Sequence, residues 1–146
     1  MVRNYQIYWI EELFVQHYYG RERMFYQLFS DWESSTGDHH DIVSKQVDYI
    51  TKPIPYLPTQ RLLKHEIMKV DGSAWIDSVA TIEKEESGAR LVLNEKSMTL
   101  HAWGQDISEY IFFEILRRNM GQLLAIDIKN EQFGWLKPIK QRKFIY

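Results

Sequence analysis

Apolar residues in this chain recur first at helical and later at strand spacing. A short alternating run comes before either: Tyr5 to Ile10 is rich in aromatic and β-branched residues and reads as a first strand. A helix is predicted from about Glu11, with two acidic residues in its first turn to suit the dipole. Gly20 kinks or briefly interrupts it. Beyond the glycine, Phe25, Leu28, Phe29 and Trp32 follow at offsets of three, four and seven, which predicts the core stripe. The polar run Glu33 to Asp38 reads as a loop, and a further helix over about His39 to Thr51 buries Val43, Val47 and Ile50.

Lys52-Pro-Ile-Pro-Tyr-Leu-Pro58 carries three prolines and so lacks three amide donors. It reads as a stiff connector, neither helical nor a central strand. Thr59 to Val70 places Leu62, Leu63, Ile67 and Val70 at helical spacing before an Asp71-Gly72 stop, although Leu63, His65 and Ile67 also alternate as a strand would. From Trp75 the texture changes. Trp75–Lys84, Ala89–Asn94 and Ser97–Trp103 read as an antiparallel meander joined by short turns. Asp106 with Glu109 three residues on resembles a capping box. It opens a helix to Arg118 that is apolar on most sides, predicted to be covered on more than one side and capped by Gly121. Leu123–Ile128 and Phe133–Leu136 complete the strands. The expectation is a single α+β domain over residues 1–146, an N-terminal strand and helices packed with a mainly antiparallel β-sheet.

Composition narrows the function classes. A chain of 146 residues, 45% hydrophobic and 14% aromatic, can build a sizeable core. Eighteen basic against twenty acidic residues give a formal charge of −2, so the basic footprint of a phosphate-backbone binder is missing. The absence of cysteine excludes disulfides, thiolate metal sites and a thiol nucleophile. The N-terminus has no signal pattern, and no apolar run approaches the ~20 residues that span a bilayer. A cytoplasmic protein without membrane contact is expected.

Catalytic chemistry finds little support. His39-His40-Asp41 is the densest group of candidate ligands, but adjacent helical residues point about 100° apart and do not readily share one ion. The group fits a solvated helix start better than a metal site. His17, His65 and His101 are isolated. There is no nucleophile elbow, P-loop, dinucleotide fingerprint or His-Glu-x-x-His, and Glu83-Lys-Glu-Glu86 reads as a solvated hairpin end. No catalytic, cofactor-binding or metal-binding residue is predicted. The basic stretch Lys137 to Lys143, flanked by Trp135 and Phe144, offers an alternative as a nucleic-acid-binding tail. A solvated tail with its aromatics packed on the sheet is the simpler reading.

A protein-docking surface is the stronger candidate. Phe14 and Tyr18 stand four apart on one helical face, outside the later core stripe. On the following helix Ile42, Gln46 and Tyr49 form a second stripe beside the buried one. Packed side by side, the two helices would present Phe14, Tyr18, Ile42, Gln46 and Tyr49 as one patch of interface composition. The same residues would equally serve to complete the core.

The wording of several blocks adds to this. His17-Tyr-Tyr-Gly-Arg-Glu22 with Phe25, Leu28-Phe29 and Asp31 resembles the sporulation inhibitor of replication (SirA) family. So do Lys45-Gln46, Tyr49-Ile50-Thr51 before Pro-Ile-Pro, Gln60-Arg61-Leu62, Ile111-Phe112-Phe113-Glu114, Gly134-Trp135-Leu136, Pro138, Arg142 and Phe144. The blocks run in order over nearly the whole chain; Lys64 to Thr99 matches least. The resemblance implies a non-enzymatic regulator without a cofactor. It would bind the N-terminal domain (domain I) of the initiator DnaA one-to-one during sporulation and occlude its interaction surface, without binding nucleic acid directly. The family's partner-binding positions fall here on Phe14, Tyr18, Gln46 and Tyr49. The resemblance leaves open whether Arg21 and Glu22 touch the partner or cap the kink at Gly20.

Overall fold

Strand β1 (Val2–Ile10) is the axis of the molecule. Side chains alternate along a strand, and here both faces are covered. Tyr5, Ile7 and Trp9 enter one core, Tyr8 and Ile10 the other. The computed structural model describes residues 2–137. After β1 come α1 (Glu12–His17), α2 (Glu22–Ser34), α3 (Gly37–Ile50), the two-residue β2 (Thr51–Lys52) and α4 (Tyr56–Ile67). Then follow β3 (Ser73–Ile76), β4 (Val79–Lys84), β5 (Ser87–Leu93), β6 (Met98–Gly104), α5 (Ile107–Asn119), β7 (Leu123–Asp127) and β8 (Gln132–Trp135).

The sheet runs β3-β4-β5-β6-β1-β7-β8, and every pairing is antiparallel. Beyond the end of β6, β2 continues along β1 through Trp9↔Lys52 and Ile10↔Thr51. Helices α4 and α5 cover one face, where Leu63, Ile67, Phe112 and Leu116 pack on Ile7, Ile82, Leu91 and Leu100. Helices α1 to α3 cover the other face over β1, β7 and β8, with Phe25, Phe29, Val43 and Val47 on Tyr8, Leu124 and Ile126. Burying each such side chain stabilises by roughly 1.5–3 kcal/mol. Every residue of β7 is buried, which explains the apolar run Leu123 to Ile126 in place of an alternation. This is the expected α+β fold with a mainly antiparallel sheet. Among the described residues no helix is long and apolar enough to cross a membrane.

Several boundaries differ from the sequence pattern, each for a physical reason. β1 starts at Val2 because Val2 to Asn4 find partners in Trp103 to His101 of β6. The loop predicted over Glu33 to Asp38 shrinks to Ser35 and Thr36, with helix on both sides. The proline segment is partly helical. Pro55 precedes α4 and Pro58 lies in its first turn, where a missing N–H costs nothing. Trp75–Lys84 is two strands, because Asp77 and Ser78 both take positive φ (52° and 65°) and close a two-residue hairpin turn between Ile76 and Val79.

The helix after Asp106 is covered on one side only: Ile107 and Tyr110 are exposed, while Phe112, Ile115 and Leu116 are buried. Its predicted capping box does not form. Asp106 makes no side-chain cap, and Glu109 instead is buried with Oε1 accepting from Arg3 Nε at 2.5 Å. Met120, not Gly121, is the C-cap; a Cβ on Gly121 would lie 2.8 Å from the Trp9 indole nitrogen, so the glycine permits a close approach.

Candidate protein-docking site

Helix α1 is only six residues long and ends at a bend. Tyr18 is its C-cap, Gly20 takes φ +80°, and α2 sets off in a new direction from Glu22. A left-handed backbone at Gly20 needs no Cβ, which is the reason for the glycine in this motif. The side chain of Glu22 reaches back, its Oε1 accepting the Gly20 N–H at 3.2 Å. Glu22 therefore caps the kink, while Arg21 is exposed.

The bend and the neighbouring α3 bring the four partner-binding candidates together. Phe14 and Tyr18 stack with ring centroids 6.5 Å apart, and Phe14 meets Tyr49 of α3 edge-on at 5.2 Å. With Gln46, these residues line one cleft of about 480 Å³. Its remaining lining comes from Met24, Phe25, Leu28 and Ile50. Phe14 and Tyr18 are half-buried: they pack against the α1–α3 core and also border the cleft. The choice between core and surface thus resolves into both for these two. Gln46 and Tyr49 are exposed, Tyr49 at 73%. Ile42 is exposed as well but sits one helical turn beyond the cleft.

Met24 and Leu28 were not among the predicted site residues. They stand four apart on α2, the spacing that also separates Phe14 of α1 from its C-cap Tyr18, and that spacing was the signal. The pattern had assigned Leu28 to the core stripe; it is half-buried and forms a cleft wall, while Tyr26 takes a core place and donates its hydroxyl to Ile128 O at 3.2 Å.

The lining is mainly apolar, with a few polar groups at hand. The hydroxyls of Tyr18 and Tyr49 and the amide of Gln46 make no side-chain hydrogen bond among the described residues. An aromatic and aliphatic cleft with unspent donors and acceptors suits a protein surface better than a reaction centre.

Elsewhere the candidate chemistry disperses. His39 pairs with Asp31 at 3.1 Å in solvent, whereas His40 Nδ1 lies 3.2 Å from both Ser35 Oγ and Trp32 O. The two adjacent histidines thus point to different partners. His17 leans edge-on against Tyr18, and His101 sits against the Asn4 amide. Among the described residues no three potential metal ligands come together. Glu85 and Glu86 lie exposed at the β4–β5 turn, a solvated hairpin end. Of the basic-aromatic tail, Trp135 is half-buried against Phe25. Pro138, Arg142, Lys143 and Phe144 lie outside the described residues.

Residues 3–140 match the family model described as sporulation inhibitor of replication protein SirA. The chain belongs to the SirA family. Its relative of that name from Bacillus subtilis (strain 168) is 36% identical over 149 residues, spanning 99% of this chain and all of the relative. The SirA match takes in β1 from Arg3 on, α1 to α5 and the cleft between α1, α2 and α3.

Proposed function

We propose that this chain inhibits the initiation of DNA replication by binding the N-terminal domain (domain I) of DnaA one-to-one, through the cleft formed by Phe14, Tyr18, Gln46 and Tyr49. Family membership supports a regulator of replication in sporulation. The observation that carries the finer reading is the convergence of those four residues on one apolar cleft with unspent polar groups. Covering an interaction face of DnaA domain I would block the recruitment and assembly that the face supports. Such a mechanism needs no catalyst and no cofactor, and it operates in the cytoplasm where the initiator works. A small interface with a few anchors suffices for a transient inhibitor.

The test is a calorimetric titration of the protein against isolated DnaA domain I. Saturable one-to-one binding is expected. Tyr18→Ala or Phe14→Ala should weaken it by roughly 2 kcal/mol or more, the scale of interface hot spots, with the far-ultraviolet circular dichroism unchanged. A folded wild type that does not bind would defeat the proposal. Binding to DNA alone, weakening as salt rises, would favour the basic tail instead.

A further inference from the structure

We propose that Glu22 and Trp135 are positioning residues of the docking cleft: together they tether the end of α1 and set the Tyr18 ring, although neither lines the cleft. The inference rests on the DnaA-binding reading and deepens it.

Two routes lead from the sheet edge toward Tyr18. The first is polar. A single carboxylate oxygen, Glu22 Oε1, accepts the Gly20 N–H at 3.2 Å and the Trp135 indole N–H at 3.4 Å. Gly20 stands two residues after Tyr18, at the point where α1 hands over to α2. A six-residue helix has little stability of its own, since helix nucleation is costly and short helices lean on their surroundings. Whatever pins Gly20 therefore fixes the direction in which Tyr18 leaves the helix. The second route is aromatic. The Trp135 ring meets Phe25 edge-on at 5.7 Å, and Phe25 meets Tyr18 edge-on at 5.4 Å. Both routes start on Trp135 in β8, which pairs only with β7 among the described residues; the polar one ends at Gly20, two residues past Tyr18, and the aromatic one on the Tyr18 ring.

From Tyr18 the ring series continues through Phe14 to Tyr49. One acceptor atom on α2 thus joins the α1 bend to the edge strand, and from that strand the rings run on to α3. Hydrogen bonds to a carboxylate are charge-assisted. Holding the rings in their docking arrangement before the partner arrives removes an ordering cost from binding. Loss of the tether would leave every cleft atom in the chain and still weaken docking.

A double-mutant cycle on partner binding tests this. Glu22→Ala should weaken binding to DnaA domain I about tenfold, and Glu22→Gln, which keeps an acceptor oxygen, should recover most of the loss. Trp135→Phe keeps the ring against Phe25 and removes only the indole N–H. It should weaken binding less than Glu22→Ala does, and the double variant should bind no worse than Glu22→Ala alone. Additive losses, or wild-type binding by Glu22→Ala, would overturn the proposal. A second measurement needs no partner. In the free protein the Tyr18 ring resonances should shift in Glu22→Ala and return in Glu22→Gln; unmoved resonances would overturn the tether. If the rings shift but wild-type protein does not bind DnaA domain I, the partner assignment fails and the tether stands.

Discussion

Glu109 shows how far a single residue's role can lie from its local pattern. Its carboxylate is 1% exposed and bound by Arg3, whose Nη1 and Nη2 also donate to Gly104 O at 3.0 Å and Gln105 O at 3.4 Å. Arg3 therefore stitches β1 to the loop before α5. The phenol of Tyr5 beside it is held above its usual range, first by burial and then by the Glu109 carboxylate. A buried charge stripped of its partner is costly, so Arg3→Ala should destabilise the fold by roughly 3–5 kcal/mol, read from urea unfolding. In the sequence, Asp106 and Glu109 have the spacing of a capping box. Nothing local indicates that an arginine 106 positions away will claim the glutamate. Phe14, Tyr18, Gln46 and Tyr49 were legible in part, for the opposite reason. Spacing sets each of them, with Ile42, beside the core positions, but it does not separate docking from core: Phe14 and Tyr18 pack on the core as well, and Ile42 lies beyond the cleft.

The elements follow the hydrophobic pattern closely where they are long, and depart from it at turns and ends. The stripe of α3 is an instance of success: Val43, Val47 and Ile50 are all buried as spaced. The β3–β4 hairpin is an instance of failure. Asp77 and Ser78 take positive φ without a glycine, so the turn left no mark in the sequence. The same observation gives a prediction. A non-glycine residue in the left-handed region carries strain, and Ser78→Gly should stabilise the protein by about 0.5–1 kcal/mol. The urea midpoint should rise with an unchanged slope; a lower midpoint would mean that the serine is favoured there. The proline segment enters a helix because position, not number, decides what a proline costs. Pro55 caps α4 and Pro58 sits in its first turn, where a missing donor is among those that would go unpaired in any case.

At the scale of the whole molecule, β1 and β7 serve two cores at once. Ile7 and Ala125 face α4 and α5, while Tyr8 and Leu124 face α1 to α3, and the two strands pair through Ile7↔Ala125 and Tyr8↔Leu124. Neither helical layer can loosen without exposing one side of the shared strands. Coincident unfolding transitions by near- and far-ultraviolet circular dichroism are therefore expected, with the slowest amide exchange along β1 and β7. Separate melting of the α1–α3 layer at lower denaturant would show that the shared strands do not couple the layers. The sequence by itself determined the class of the fold, the buried stripe of α3, Phe25 and Phe29 of the α2 stripe, and the strand-rich second half. These depend on spacing within one element, where period and side-chain direction are linked by backbone geometry. Only the tertiary structure decided that β1 lies inside the sheet between β6 and β7, that Arg3 claims Glu109, that Met24 and Leu28 complete the cleft, and that Trp135 meets Glu22 behind it. Those are contacts between residues remote in sequence, and no local period encodes which distant partner a buried group will find.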